Sequence, residues 1–90
     1  MTTARIILTA APTTAQIEEA RTYIHGVASG AAALAVTLGA VSRSDLGAEI
    51  TRRFADLVAV LNGAAAPARQ VNSLLPLLRR AGIECDAVAV

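Results

Sequence analysis

Apolar and polar residues alternate along the chain in a way that divides it into five segments. Residues 4–10 form an almost unbroken apolar run rich in isoleucine, which is typical of a strand buried on both faces. Three helical segments follow, over about 14–38, 43–61 and 67–80, and residues 83–90 form a second strand-like run. The pattern predicts one small domain (1–90) with an α+β fold of order β-α-α-α-β. Its three helices form a layer, and its two short terminal strands pair with each other or with strands of another subunit.

The first helical segment begins at a capping box made by Thr13 and Gln16. Its apolar residues then repeat with heptad spacing. One position holds Ile17, Ile24, Ala31 and Leu38, and the position three residues later holds Ala20, Val27, Leu34 and Val41. Residues 32–38 also fit the alternation of a strand, but the helix-ending glycine at 39 favours a helix.

Small residues are concentrated in the uncharged stretch 26–42. Gly26 and Gly30 form a GxxxG motif, and Ala31, Ala35 and Gly39 repeat at the same spacing. Such rows let two helix backbones approach closely, so we predict tight internal packing here. The two glycines also favour a break or kink at 26–30, because one helix over 14–38 would be about 37 Å long.

The joints between the helices carry specific signals. Gly39 stands where a helix needs its left-handed end, and Ser42 with Asp45 forms a second capping box. The second helix carries ion pairs four residues apart, Glu49 with Arg53 and Arg52 with Asp56. In the third helix, Pro76 predicts either a kink or a shorter helix capped by Ser73, and Gly82 ends the helix.

Length and charge limit the classes of function. Ninety residues give a core of marginal size, so association with partners is expected. The net charge is only +1, and all eight basic residues are arginine. The absence of lysine and the alanine excess are what GC-rich coding produces, which points to an actinobacterial-type genome or one of its phages. The N-terminal apolar run is too short for a signal peptide, which predicts a cytoplasmic protein, or a virion protein if it is phage-encoded.

Chemical signals are sparse. His25 and Cys85 are the one pair that could act as base and thiol nucleophile, with no third residue to orient them. Glu84 and Asp86 share a strand face, which is more typical of a solvated face than of a cation site. We therefore predict no catalytic, metal-binding or cofactor-binding residues, no cofactor, and no enzymatic activity.

The arginines allow a second interpretation, that the chain binds nucleic acid. Arg43, Arg52 and Arg53 on one helix and Arg79 and Arg80 on another could form a phosphate-binding face. The acidic partners of Arg52 and Arg53 on their own helix weaken this interpretation. No helix-turn-helix pattern or glycine-rich phosphate loop accompanies these arginines, and one tyrosine and one phenylalanine are too few to stack bases.

A third interpretation is a membrane hairpin. The joint LGAVSRSDLGAEI between two alanine-rich helices resembles the hairpin turn of small phage holins, and this resemblance implies two membrane spans. The second helix departs from that pattern through Glu49, Arg52, Arg53 and Asp56, which a bilayer disfavours. The uncharged stretch 26–42 is also shorter than the roughly 20 apolar residues of a spanning helix.

These observations predict a small non-enzymatic assembly protein, a homo-oligomeric building block or adaptor, of which a phage virion component would be one form. Its expected partners are copies of itself and other proteins of an assembly. A nucleic-acid-binding regulator is the alternative, and a holin-like membrane hairpin comes third.

Overall fold

The computed structural model describes residues 2–90, and its elements follow the predicted order with two additions. The elements are β1 (Thr3–Leu8), α1 (Thr14–Thr37), a 3-10 turn (Arg43–Asp45), α2 (Leu46–Leu61), β2 (Ala66–Pro67), α3 (Ala68–Arg80) and β3 (Cys85–Ala89). The additions are the 3-10 turn and β2. The α+β prediction is confirmed.

The three strands form one antiparallel sheet in the order β2-β1-β3. The terminal strands pair within the chain, with Ala4 opposite Ala89 and Leu8 opposite Cys85. On its other side β1 pairs with β2 only at Thr3 and Ala4. The two-residue β2 was not predicted, because two residues are too few to show any alternation in sequence.

Only one face of this sheet is covered by helices. Ala4, Ile6 and Cys85 point toward the helices and are buried, whereas Arg5 and Ile7 lie on the opposite, exposed face. The prediction that β1 is buried on both faces is therefore wrong. Burial on two faces requires two covering layers, and all three helices of this chain are used on one.

Helix α1 runs without interruption from Thr14 to Thr37. The capping box is present: the Thr13 hydroxyl accepts from the Gln16 amide, and the Thr13 amide donates to the Gln16 side chain. At the other end Gly39 has a φ of 78°, and the Ala40 amide donates to the Ala35 carbonyl, a Schellman ending. The predicted break at 26–30 is absent.

The length of α1 shapes the whole molecule. Its 24 residues make a rod of about 36 Å, and the Cα atoms span 40 × 34 × 16 Å. The expectation of a break assumed a compact domain, but the chain is flat and elongated instead. The second half of α1 extends beyond the main core, which includes Ala20, Ile24 and Ala28 but neither Ala32 nor Ala35.

The buried face of α1 differs from the heptad pattern. It is formed by Ala20, Ile24, Ala28, Ala32 and Ala35. Of the predicted heptad residues, Ile17, Val27, Leu34 and Leu38 are exposed. The alanine face packs toward α2, because small side chains let the two helices of a hairpin approach closely.

The two glycines of the GxxxG motif do not make a close contact. A Cβ atom added at Gly26 or Gly30 would find no neighbouring atom within 4 Å. The prediction of tight internal packing is wrong for these two glycines, whereas Ala35 of the same row is buried.

Replacing Gly26 by alanine is expected to stabilise the folded chain by about 0.5–1 kcal/mol. Alanine loses less backbone entropy than glycine when a helix forms, and the space around Gly26 is open. Chemical denaturation of both proteins measures the difference. Replacing Gly39 by alanine provides the control, because its φ of 78° disfavours any side chain and the variant should be destabilised. A destabilised Gly26→Ala variant would contradict the open environment.

The later segments overturn one prediction and exclude one of two alternatives. The Ser42 hydroxyl donates to the Asp45 carboxylate at 2.7 Å, so the predicted second capping box does not cap the helix backbone. α3 continues through Pro76, with no shorter helix starting at Ser73, whose hydroxyl donates to the Gln70 carbonyl. At the end of α3 the Ile83 amide donates to the Leu78 carbonyl, which completes a second Schellman ending.

Candidate interaction surfaces

The uncovered face of the sheet mixes apolar and charged side chains. Directly opposite residues of an antiparallel pair share a face, so Arg5 lies beside Val88 and Ile7 beside Asp86. We call these four residues the open sheet face. All four are exposed. This alternation is common on the solvated side of an antiparallel sheet.

The outer edge of β3 is unpaired within residues 2–90. The amide of Val90 donates to Thr3 and that of Thr9 to Glu84, so by alternation the amides of Cys85, Ala87 and Ala89 point outward. The guanidinium of Arg79 covers part of this edge. Its Nη2 donates to the Cys85 carbonyl and lies near Asp86 Oδ1, each at 3.3 Å. A charged side chain on an edge strand opposes pairing with another strand.

Apolar side chains also line one side of α1. Val27, Leu34 and Leu38, the last of which caps the C-terminal end of α1, recur at helical spacing. We call them, together with Gly30 and Ala31 between them, the α1 flank. Leu34 is 57% exposed and Leu38 is 73% exposed. They are the most exposed large apolar side chains on α1, and no charged residue lies between His25 and Arg43.

A groove of about 260 Å³ borders the α1 flank. Its walls come from all three helices and comprise Val27, Ala28, Ala31, Arg52, Arg53, Asp56, Leu57, Gln70, Ser73 and Leu74. Val27 and Ala31 therefore belong both to the flank and to the groove wall. The groove floor contains the buried side chains of Leu57 and Leu74.

The charges beside the groove are paired within α2. Arg53 Nε donates to Glu49 Oε1 at 2.8 Å, Arg52 also donates to Glu49, and Arg52 Nη1 lies 3.3 Å from Asp56 Oδ2. The hydrogen bond from Arg52 is the main cause that lowers the pKa of Glu49 below its ordinary value. Both ion pairs predicted at a spacing of four residues are confirmed.

A smaller apolar pocket of about 180 Å³ lies between β1 and all three helices. It is lined by Leu8, Pro12, Ile17, Ala20, Arg21, Val58, Leu61, Asn62, Leu78 and Ile83. Leu8 and Ile17 are exposed at this pocket. The Arg21 guanidinium lies 5.8 Å from the centre of the Phe54 ring, where cation–π attraction holds it.

His25 and Cys85 lie in different surroundings. His25 packs edge-on against Phe54 at 5.4 Å between ring centres and lies 3.4 Å from the Ser29 hydroxyl. Cys85 is buried between the sheet and the helices, and burial raises the pKa of its thiol. A thiol with a raised pKa is a poor nucleophile at neutral pH.

The acidic residues Glu84, just before β3, and Asp86, within it, do not converge with other ligands. Glu84 and Asp86 are both exposed, and Asp86 faces Arg79. Within the described part of the chain no group of three or more histidine, cysteine or acidic side chains could hold a metal ion.

The arginines considered for phosphate binding are mostly engaged in the chain itself. Arg52 and Arg53 pair with Glu49, Arg79 pairs with Asp86, and Arg80 lies 5.4 Å from the centre of the Tyr23 ring. The carboxylates compensate much of the positive charge of Arg52, Arg53 and Arg79. Across residues 2–90, no helix combines the length and apolarity of a membrane span.

The surface that the sequence analysis missed is the α1 flank. Its signal was present in the heptad spacing that includes Val27, Leu34 and Leu38, which predicted a helix but did not assign these side chains to a surface. The spacing shows that these side chains lie on one side of a helix, but not whether the chain itself covers them.

No protein-family model, curated protein or solved structure matches this chain.

Proposed function

We propose that the chain is a non-enzymatic assembly protein that associates with copies of itself. The observation that supports the proposal best is the surface area. The chain exposes 5556 Å², whereas a folded monomer of 9.2 kDa exposes about 4,900 Å². The excess of about 600 Å² approaches the roughly 800 Å² that each partner buries in a standard interface.

The exposed apolar side chains support the same proposal. They fall into three groups rather than being scattered, since Val27, Leu34 and Leu38 are on α1, Ile7, Val88 and Val90 on the sheet, and Leu8 and Ile17 at the small pocket. Grouped exposed apolar residues are typical of protein-binding surfaces. A flat molecule of 16 Å thickness has little interior in which to bury them.

Sedimentation velocity over a concentration series tests the proposal. We expect the mass to exceed the 9.2 kDa of one chain and to rise with concentration toward a discrete multiple. A mass of one chain up to about 1 mM would overturn the proposal, because even an association of 4 kcal/mol would be visible there. Adding duplex DNA tests the alternative: a tight complex that survives physiological salt would favour the nucleic-acid-binding regulator.

A further inference from the structure

We infer that the α1 flank is the surface through which two copies of this chain associate, with α1 of one copy antiparallel to α1 of the other and crossing at Gly30 and Ala31. This inference rests on the proposed function and specifies the partner surface. It follows from the shape and the charge of this side of the molecule, together with the excess of exposed surface of the whole chain.

The flank and its groove have complementary shapes. Leu34 and Leu38 project from α1 near its C-terminal end, and the groove at Val27 and Ala31 lies two turns toward the N-terminus on the same side. In a two-fold interface the same surface of each copy contacts the other copy. Each projection on one copy must therefore fit a recess in the equivalent surface of its partner. An antiparallel crossing at Gly30 places Leu34 of each copy against Val27 of the other, at the entrance to the groove.

Gly30 suits the crossing point. It lies between Val27 and Leu34 on the flank and has no neighbouring atom within 4 Å of a hypothetical Cβ. The separation of packed helices depends on the side chains at their contact, so a glycine there permits a close approach. Within residues 2–90 no other segment packs against this position, whereas between two copies the partner helix would.

The charges are compatible with this contact. The flank lies within the uncharged stretch 26–42, so two copies bring no like charges together at the centre. The nearest charged residues at the groove, Arg52 and Arg53, are already paired with Glu49 and Asp56. The interface would therefore have an apolar centre and a polar rim, as protein interfaces usually do.

The sheet is a less favourable surface for self-association than the α1 flank. Its open face alternates Ile7 and Val88 with Arg5 and Asp86, and those apolar side chains are less exposed than Leu34 and Leu38. The edge of β3 carries the guanidinium of Arg79 on the Cys85 carbonyl. Pairing along that edge would have to displace this side chain, whereas the α1 flank has no such obstruction.

Charge substitutions distinguish the two surfaces. Leu34→Glu combined with Leu38→Glu should weaken self-association by at least about tenfold, because each carboxylate would lose water in an apolar contact. Both side chains are exposed, so the thermal stability of the dilute chain should change little. Val88→Glu is the matched control on the open sheet face. It lies opposite Arg5, which can pair with the new carboxylate, and should leave the mass unchanged.

The masses of the unmodified chain, the α1 variant and Val88→Glu test the proposed function and the α1 flank separately. If the unmodified chain stays monomeric at all concentrations, both the proposed function and this inference fail. If it associates, and Val88→Glu rather than the α1 variant makes it monomeric, the proposed function stands and the α1 flank is the wrong surface. Loss of association in the α1 variant alone supports the inference.

Disulfide trapping tests the antiparallel orientation. In a Cys85→Ala background, chains carrying Val27→Cys should crosslink to chains carrying Leu34→Cys on oxidation, because disulfides need Cα atoms within about 7 Å. Ala33→Cys, exposed on another side of α1, serves as the control and should not crosslink. Self-crosslinking of each single variant without the mixed product would indicate parallel helices and overturn the antiparallel arrangement. Mixed products, measured on a non-reducing gel, support it.

Discussion

Replacing Ile24 by alanine is expected to lower the free energy of unfolding by about 2–5 kcal/mol. Ile24 of α1 is 0% exposed and lies in the core cluster, to which all three helices and the sheet contribute. Removing three buried carbons loses their transfer free energy and leaves a cavity that a well-packed core fills only in part. Denaturation in urea, followed by circular dichroism, measures the change. For a domain of this size such a loss is a large part of the total stability.

The matched control is Ile17→Ala, seven residues earlier on the same helix. The heptad pattern places Ile17 and Ile24 at the same position, but Ile17 is 42% exposed. Its replacement should therefore lower the free energy of unfolding by less than about half as much as Ile24→Ala, because Ile17 buries less apolar area when the chain folds. Equal losses at the two positions would contradict the burial that the structure assigns to α1. They would favour a helix whose whole heptad stripe is buried.

Replacing Ile7 by proline is expected to destabilise the chain by at least about 2 kcal/mol, and to cause unfolding or aggregation. The alternation of ladder bonds directs the Ile7 amide toward Asp86 of β3. Proline has no amide hydrogen to donate, and its ring fixes φ away from the value of a strand. Because Ile7 lies within the pairing of β1 with β3, the substitution interrupts that ladder between its two ends. Thermal melting and light scattering measure the effect.

Ala89→Pro is the control for this prediction. The Ala89 amide points away from β1, toward the unpaired edge, and its side chain is exposed. Proline is tolerated at such edge positions, so this variant should melt within a few degrees of the unmodified chain. A soluble Ile7→Pro variant with an unchanged melting temperature would mean that β1 and β3 do not pair as the structure has them.

The ends of the helices could be predicted from the sequence, because a cap depends on residues a few positions apart. Thr13 and Gln16 cap each other's backbone, and Gly39 and Gly82 adopt the positive φ that a Schellman ending requires. The ion pair between Glu49 and Arg53 is equally local. One local prediction was wrong: the side chains of Ser42 and Asp45 bond to each other, because their backbone forms a 3-10 turn rather than the first turn of α2.

For the candidate surfaces, the sequence shows which residues lie on the same side of a helix, but not whether those residues are exposed. The spacing of Val27, Leu34 and Leu38 places them on one side of α1 in any structure where that segment is helical. Whether this side faces the core depends on where α2 and α3 lie. In the structure the alanine face of α1 meets α2, so the larger apolar side chains of the second half of α1 remain outside.

The sheet shows the same division between local and long-range information. The apolar run at 4–10 predicted a strand, and its pairing with residues near 83–90 was one of two alternatives. Tertiary structure decided that the strands pair within the chain, that β2 joins them, and that one face of β1 stays uncovered. The physical reason is that caps and ion pairs depend on neighbours in sequence. Burial depends on which distant segment provides a covering surface, and in this chain three helices can cover only one side of the sheet.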